Sequence, residues 1–254
     1  VALAGFNGSL YATGYFTIPA TGSTTLNYFA RLNGANWQPV GAGLNGIGET
    51  LYLLNNQLYV GGQFTTADGV TVNRVARLNG NTFAAMGAGF ANNEVICLGS
   101  YNGSLYAGGS FTQSGTVSLN RLARWTGTAW ADVGAGVNSA VYSLLEYNDG
   151  SGNALFVGGA FSVAGVDPLH YLVRWNGVEW AQIADFNGPT YCLAAFNDGG
   201  GAKLIAGGVF SGASPRPQRV RHLHPARPCA FPLGGKAGAR GGGRTRRFHL
   251  RAAV

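Results

Sequence analysis

The sequence is poor in charged residues and in the side chains that build catalytic and metal sites. Charged residues make up 11% of the 254, against roughly 25% in an ordinary soluble domain. There are four His, of which only His170 precedes residue 215. No apolar run approaches the ~18 residues of a membrane-spanning helix, and no stretch has helical periodicity. We therefore expect neither a membrane span nor a helical domain.

Motifs that carry chemistry are also lacking. The sequence has no nucleophile-elbow pattern, no phosphate-binding loop and no Cys/His zinc spacing. We expect no catalytic residue, no cofactor and no metal ligand. Cys97 and Cys192 occupy equivalent places in the pattern described next, and we interpret both as small buried residues.

What the sequence does contain is one eight-residue motif written five times. LYVGGQFT at residues 58–65 has close copies that begin at Leu10, Leu105, Leu155 and Leu204. The last aromatic residues of the copies are 48, 47, 50 and 49 residues apart, at Phe16, Phe64, Phe111, Phe161 and Phe210. A fixed period of this length indicates a repeat architecture.

Each period divides into four short runs rich in β-branched and aromatic residues. Asn-Gly pairs, as at 79–80, separate the third and fourth runs and predict tight hairpins. Four antiparallel strands per period predict an all-β fold, a partial β-propeller of about four and a half blades. The predicted blades are residues 1–47, 48–93, 94–139, 140–188 and a partial 189–214. Glycine is unfavourable inside a strand, so the recurring Gly-Gly pair predicts close approach of a neighbouring blade or loop.

These residues resemble the kelch repeat, and more broadly the propellers grouped with the galactose oxidase central domain. The resemblance covers residues 1 to about 214, and the double glycine and Trp37, Trp130 and Trp180 carry it. The third strand departs from the kelch pattern, with Arg-Leu/Trp-Asn-Gly in place of Tyr-Asp. The resemblance implies a fold and a binding habit rather than a reaction. A copper site of the galactose oxidase type needs two His, and the repeats contain one.

The segment 215–254 has a different composition from the repeats. It holds nine Arg and one Lys without an acid, whereas residues 1–214 carry ten acids and seven basic residues. We interpret it as a disordered basic Arg/Gly/Pro-rich tail without strands. Translation out of frame, a genuine disordered linker and an Arg/Gly-rich nucleic-acid-binding segment remain alternatives. Nucleic acid is an expected partner only if the tail is genuine.

We expect any ligand on one face of the propeller, which we call the loop face. It is formed by the connections between second and third strands and between each fourth strand and the next first strand. These loops are longer and more variable than the tight turns of the opposite hairpin face, which we expect to be too short to shape a pocket. The candidate binding residues there are Asp68, Gln113, Asp167, His170 and Asp185.

Three features have alternative interpretations. Asp167, His170 and Asp185 could hold a metal or a cationic ligand, or they could be solvated loop charges. The loop 148–153 has alternating oxygen ligands like a calcium loop but lacks its closing acid. One position is an Arg in all four complete repeats: Arg31, Arg77, Arg124 and Arg174. These arginines could form an anion-binding ring, although a repeated structural role is favoured.

The function predicted is non-catalytic binding or scaffolding within a larger exported bacterial protein, of which this chain is a fragment. The expected partner is a protein or a glycan, and the expected location is extracellular or at the cell surface, because Lys is scarce and the loops are rich in Asn, Thr, Ser and Gly. One alternative is the propeller portion of an oxidase-like or other extracellular enzyme whose active site lies outside this chain. Another is a purely structural adhesin segment.

Overall fold

The structure is a computed structural model that describes residues 2–19, 25–215 and 220–223. Every regular element in these ranges is a β-strand, and four of the sheets contain four antiparallel strands each. In those four sheets the strands lie side by side in chain order, so each sheet is a meander. None of the described residues forms a helix long and apolar enough to cross a membrane. The predicted all-β fold of four-stranded antiparallel blades is confirmed.

Blades one and two come from the first two repeats. Blade one consists of β1 (Ala2–Phe6), β2 (Ser9–Pro19), β3 (Thr25–Asn33) and β4 (Asn36–Pro39). Blade two consists of β5 (Gly48–Leu54), β6 (Gln57–Gly62), a small hairpin of β7 (Thr66–Ala67) and β8 (Val70–Thr71), and then β9 (Val75–Asn79) and β10 (Thr82–Ala85).

Blades three and four repeat this arrangement. Blade three consists of β11 (Val95–Tyr101), β12 (Ser104–Gly109), the small hairpin β13 (Gln113–Ser114) and β14 (Val117–Ser118), β15 (Leu122–Trp125) and β16 (Trp130–Asp132). Blade four consists of β17 (Val141–Asn148), β18 (Asn153–Gly159), β19 (Leu172–Trp175) and β20 (Trp180–Gln182).

The last strands lead out of blade four and begin a fifth blade. They are β21 (Ala184–Phe186), β22 (Thr190–Asn197), β23 (Ala202–Gly208), β24 (Ala213–Pro215) and β25 (Val220–Leu223). β22 and β23 form the antiparallel pair that opens the blade, and β21 pairs with β24. β25 lies parallel to β23, where an edge strand offers unpaired backbone groups. The strand at these four residues, and Pro215 at the end of β24, differ from the strand-free tail predicted above. The rest of that prediction lies outside the described residues.

Aromatic residues of the fourth strands join neighbouring blades. Phe83 of blade two meets Phe29 of blade one edge-on, with ring centroids 5.1 Å apart. The Trp130 indole nitrogen donates to the Met86 carbonyl oxygen of blade two at 3.2 Å. In the same way, Trp180 donates to the Gly134 carbonyl oxygen of blade three at 2.8 Å. Each of these rings therefore fills the space against the preceding blade, and its polar N–H, where it has one, is satisfied there.

The Gly-Gly pairs lie where two backbones come close, as predicted. A Cβ added to Gly61 would come within 2.6 Å of the Val95 side chain, which belongs to the first strand of the next blade. At the second glycine, Gly62, an added Cβ would overlap the carbonyl oxygen of Ile47. In blades two, three and four the first glycine of the pair thus admits the neighbouring blade, and the second admits the chain entering its own blade.

Tight hairpins at one edge of each sheet use two kinds of turn. Asn7-Gly8, between the first and second strands of blade one, has positive φ at both residues, 47° and 72°. This is the backbone of the type I′ turn, which matches the twist of an antiparallel pair. At Asn79-Gly80, between the third and fourth strands, the glycine alone has positive φ. The sequence analysis expected the doubly positive turn at the second site rather than the first.

Candidate functional site

The two sets of connections predicted to form the loop face do lie together. The Ala42 amide, in the connection from blade one to blade two, donates to Asp68 Oδ1 at 2.8 Å. The Asp68 amide in turn donates to the Gly43 carbonyl oxygen at 2.8 Å, and Leu44 forms a bridge with Ala67. The loop between the second and third strands of a blade is therefore held against the corner that leads into that blade.

An asparagine caps these loops in blades two to five, and the sequence analysis did not identify it. Oδ1 of Asn45 accepts from the Thr65 and Thr66 amides at 2.8 and 2.9 Å, and its Nδ2 donates to the Thr65 hydroxyl. The same arrangement recurs in the next three blades, at Asn92, Asn138 and Asn187. A search for polar residues at a constant repeat position would have found these caps. They fix the loop backbone to the blade.

Two of the predicted binding residues take part in this loop structure. Asp68 is half-buried with φ of 49°, and its carboxylate accepts the Ala42 amide described above. Gln113 is also half-buried, and its Nε2 donates to the Gly115 carbonyl oxygen at 2.7 Å within the β13–β14 hairpin. Both side chains therefore shape loops, one in blade two and the other in blade three.

The other three predicted residues belong to blade four, and all are exposed. Gln182, which the sequence analysis overlooked, connects the backbone of His170 to that of Ala184, the residue before Asp185. Its Oε1 accepts the His170 amide at 2.8 Å, and its Nε2 donates to the carbonyl oxygens of His170 and Ala184 at 3.0 and 2.6 Å. His170 is thereby placed next to the strand that carries Asp185. Asp167 lies in the preceding hairpin, where its backbone pairs with Ala164.

Blade four differs here because it lacks the Gly-Ala-Gly corner of the earlier blades. In blade three, Asn120 donates to the Ala135 carbonyl oxygen at 2.8 Å, and Gly136 packs against Asn120 too closely for a Cβ. At the position where the earlier blades turn, the chain of blade four continues into β21, and β21 pairs with β24. His170 replaces the asparagine at the point where this corner is missing. The substitution accompanies a change in backbone path.

The structure does not support the alternative metal site. Across residues 2–19, 25–215 and 220–223, no three His, Cys, Asp or Glu side chains lie together in a way that could hold a metal ion. The carboxylate of the calcium-like loop is also engaged: Asp149 forms an ion pair with Arg174 at 3.0 Å, and its side chain is only 4% exposed. Arg174 also donates to the Ser151 hydroxyl. The loop therefore serves an arginine of its own blade.

The loop face carries exposed apolar residues that the sequence analysis did not single out. Three of them lie in the loops between the second and third strands of blades two, three and four, and their exposures are 44, 45 and 90% for Val70, Val117 and Val166. Ile18, which is 51% exposed, lies within β2 of blade one. Single exposed apolar residues are ordinary on protein surfaces. Recurrence of an exposed valine in the same loop of blades two, three and four is not expected from that background.

The first strands of neighbouring blades contact one another, which places them at the centre of the blade array. Tyr142 and Tyr191, from blades four and five, meet edge-on with centroids 5.2 Å apart, and Tyr191 is 40% exposed. Burial raises the pKa of Tyr142, and the nearby phenol of Tyr191 and carboxylate of Glu94 raise it further. This central position therefore offers neutral aromatic surface at physiological pH.

A cleft lies on the hairpin face, where the sequence analysis expected turns too short to shape one. It has a volume of about 330 Å³ and lies between blades one and two. The β1–β2 turn and the Asn79-Gly80-Asn81 turn form its two sides, and Arg31 lies between them. Blade packing creates this space, because two tight turns from different blades stand apart at the rim.

The chain is thus a β-propeller built from four-stranded antiparallel blades. A family model described as a domain of unknown function (DUF5122) beta-propeller matches residues 54–81. That segment runs from the end of β5 through β9 and into the Asn79-Gly80 turn. The chain is therefore similar to that family over these 28 residues. No curated protein shows significant similarity to the chain.

Proposed function

We propose that the chain is a non-catalytic binding module that holds a protein partner on its loop face. The observation that carries this proposal is the exposed valine in the same loop of three successive blades, with Val166 the most exposed at 90%. An interface needs apolar side chains at its centre and polar groups around them. Here the polar surroundings are the Asp, Asn and Thr residues of the same loops.

The caps described above support this proposal. A loop whose backbone amides are bound by an asparagine, as Ser162 and Val163 are by Asn138 at 2.9 and 3.1 Å, loses little conformational freedom when a partner docks. Pre-ordered loops therefore bind with a smaller entropic cost. A rigid scaffold with variable loop tips is a common way to present binding residues.

A protein partner suits this surface better than a glycan does. Valine and isoleucine provide aliphatic contact area, whereas sugar rings are commonly held by flat aromatic surfaces together with polar groups. The exposed ring of Tyr191 keeps a glycan as the second candidate. Scaffolding within a larger exported protein, outside the cell or at its surface, belongs to the same proposal, supported by the low Lys content and the polar loops.

The enzyme alternative places an active site outside this chain, in a longer parent protein. No observation among the described residues favours it. It remains a prediction that metal and activity measurements on the parent protein would address.

The proposal is tested with a loop-face variant and a matched control. The variant carries Val70→Asp, Val117→Asp and Val166→Asp; the control carries Val178→Asp, which changes an 85% exposed valine on the hairpin face. The full chain and both variants are immobilised and screened against proteins displayed from the genome of the same organism, with a glycan array in parallel. We expect protein binders that the wild type and the control retain and the triple variant loses. Binders that tolerate the triple change, or glycan signals alone, would refute the proposal.

A further inference from the structure

The cleft on the hairpin face has the size and lining of a small-molecule site. Its volume of about 330 Å³ falls in the range of roughly 300–1,000 Å³ that ligand pockets occupy. Blade one contributes Asn7, Tyr11 and Arg31, and blade two contributes Leu78 and Asn81. The lining as a whole combines two aromatic rings, one aliphatic side chain, four amide side chains and one cation.

Arg31 is incompletely satisfied in this cleft. Its Nη1 donates to Asn81 Oδ1 at 3.2 Å, but its Nε is buried and meets no hydrogen-bond acceptor among the described residues. The described residues that line the cleft include no Asp or Glu. A buried charged donor without an acceptor costs free energy, which an incoming anion would recover.

The arginine at the equivalent position in blade four has the anionic partner that Arg31 lacks. Arg174 occupies the third-strand position of Arg31, and Asp149 accepts from its Nη1 at 3.0 and 3.2 Å. Asp149 is the first residue of the turn between the first and second strands of its blade. The first residue of the corresponding turn in blade one is Asn7, a neutral amide. Blade four thus contains a carboxylate that blade one lacks.

The other two arginines of the series are in different surroundings. Arg77 and Arg124 are exposed to solvent, so water satisfies their guanidinium groups. Arg31 is half-buried and opens onto the cleft. The surroundings of Arg31 therefore differ from those of the exposed arginines, which argues against an anion-binding ring repeated in every blade.

We propose that this cleft binds a small carboxylate ligand about the size of one acidic sugar or one acylated amino acid. The ligand carboxylate takes the place that Asp149 takes in blade four and accepts hydrogen bonds from Arg31. A guanidinium group donates along two parallel directions, which suits a carboxylate. The amide of Asn81 and the faces of Tyr11 and Leu78 contact the remainder of the ligand.

This site lies on the face opposite the exposed valines, so it is independent of the protein partner proposed above. Its test uses the full chain, with glucuronate and N-acetylalanine as the two carboxylate probes and glucose as the neutral control, in titration calorimetry. Binding of either carboxylate without binding of glucose supports the proposal, and the stronger probe identifies the source as acidic sugar or peptide-like. Failure of both carboxylates to bind overturns it.

Variants decide whether Arg31 is responsible. Arg31→Gln should weaken binding of the carboxylate probe at least tenfold, because a buried charge pair loses one partner. Arg77→Gln, the exposed counterpart in blade two, should bind as the wild type does. Equal affinity in Arg31→Gln, or an equal loss in Arg77→Gln, would overturn the proposal.

A second variant keeps the proposal testable if Arg31→Gln does not fold. Asn7→Asp places a carboxylate at the turn position that Asp149 holds in blade four, and Asp tolerates the φ of 47° found there. The new carboxylate should compete with the ligand and weaken binding about tenfold while thermal stability is retained. Affinity unchanged in Asn7→Asp would show that the probe does not bind beside Arg31.

Discussion

Arg174 and Asp149 form an ion pair of 3.0 Å that joins the third strand of blade four to the turn between its first two strands. Both side chains are largely buried, at 15 and 4% exposure, so the pair is shielded from solvent. Replacing Asp149 with Ala leaves the guanidinium without its anion, and we expect unfolding by urea to show a loss of about 1–3 kcal/mol.

The matched control for that variant is Asp198→Asn. Asp198 pairs with Lys203 of β23, but its carboxylate lies in the turn between β22 and β23 and is 36% exposed, against 4% for Asp149, so water and salt weaken the attraction. We expect no measurable change in the free energy of unfolding for Asp198→Asn. Equal effects of the two changes would show that shielding of the Arg174 pair is unimportant.

A second prediction concerns the asparagine caps. Asn138→Ala removes the acceptor of the Ser162 and Val163 amides, so it should cost about 1–2 kcal/mol and speed amide hydrogen exchange at those two residues. Asn138→Asp keeps an acceptor oxygen and should retain most of the protection. Unchanged exchange in the alanine variant would mean that the cap does not order the loop.

A third prediction tests the close approach at the Gly-Gly pairs. A Cβ on Gly108 would come within 2.5 Å of Val141 Cγ1 and 2.8 Å of Cys97 Sγ. Gly108→Ala should therefore destabilise the protein by about 1–3 kcal/mol in urea unfolding. Gly5→Ala is the control, because nothing lies within 4 Å of a Cβ added there. Similar stability in the two variants would contradict a tight contact between blades three and four.

A fourth prediction concerns alkaline pH. Burial raises the pKa of Tyr59, Tyr106, Tyr142 and Tyr147 above the ordinary value of 10.0. The unfolded chain loses these protons first as pH rises, so it binds fewer protons than the folded chain. The free energy of unfolding should hold up to about pH 10 and fall above it.

The contribution of one phenol can be isolated by substitution. Tyr106→Phe should give a shallower fall of the free energy of unfolding with pH, measured by urea unfolding at a series of pH values. Tyr15→Phe, which changes an 82% exposed ring, is measured in parallel as the control for removing a phenol hydroxyl. An identical slope in Tyr106→Phe and the wild type would contradict the prediction.

The repeat predicts the fold because every blade makes equivalent packing contacts. The period predicts four-stranded sheets, and the Gly-Gly pair predicts close approach at the right positions, since both depend on contacts repeated in each blade. The type I′ turn between the first and second strands was not predicted, because the prediction used only the Asn-Gly pairs between the third and fourth strands. The strand β25 follows no repeat, so no pattern could indicate it.

The site was less predictable because it depends on departures from the repeat. The five predicted residues lie in three blades, and two of them, Asp68 and Gln113, are used within their own loops. The pairing of Arg174 with Asp149 depends on a longer turn in one blade. The cleft at Arg31 depends on how two blades stand against each other. Neither relationship can be deduced from spacing along the chain.

The aromatic residues of the fourth strands favour assembly of the blades in the order in which they are synthesised. Phe83, Trp130 and Trp180 each pack onto a blade that precedes their own in the chain. As the polypeptide leaves the ribosome, the surface that receives each ring has already been translated. A new blade can therefore dock as soon as its last strand emerges, and assembly can proceed from the amino-terminal end in step with translation.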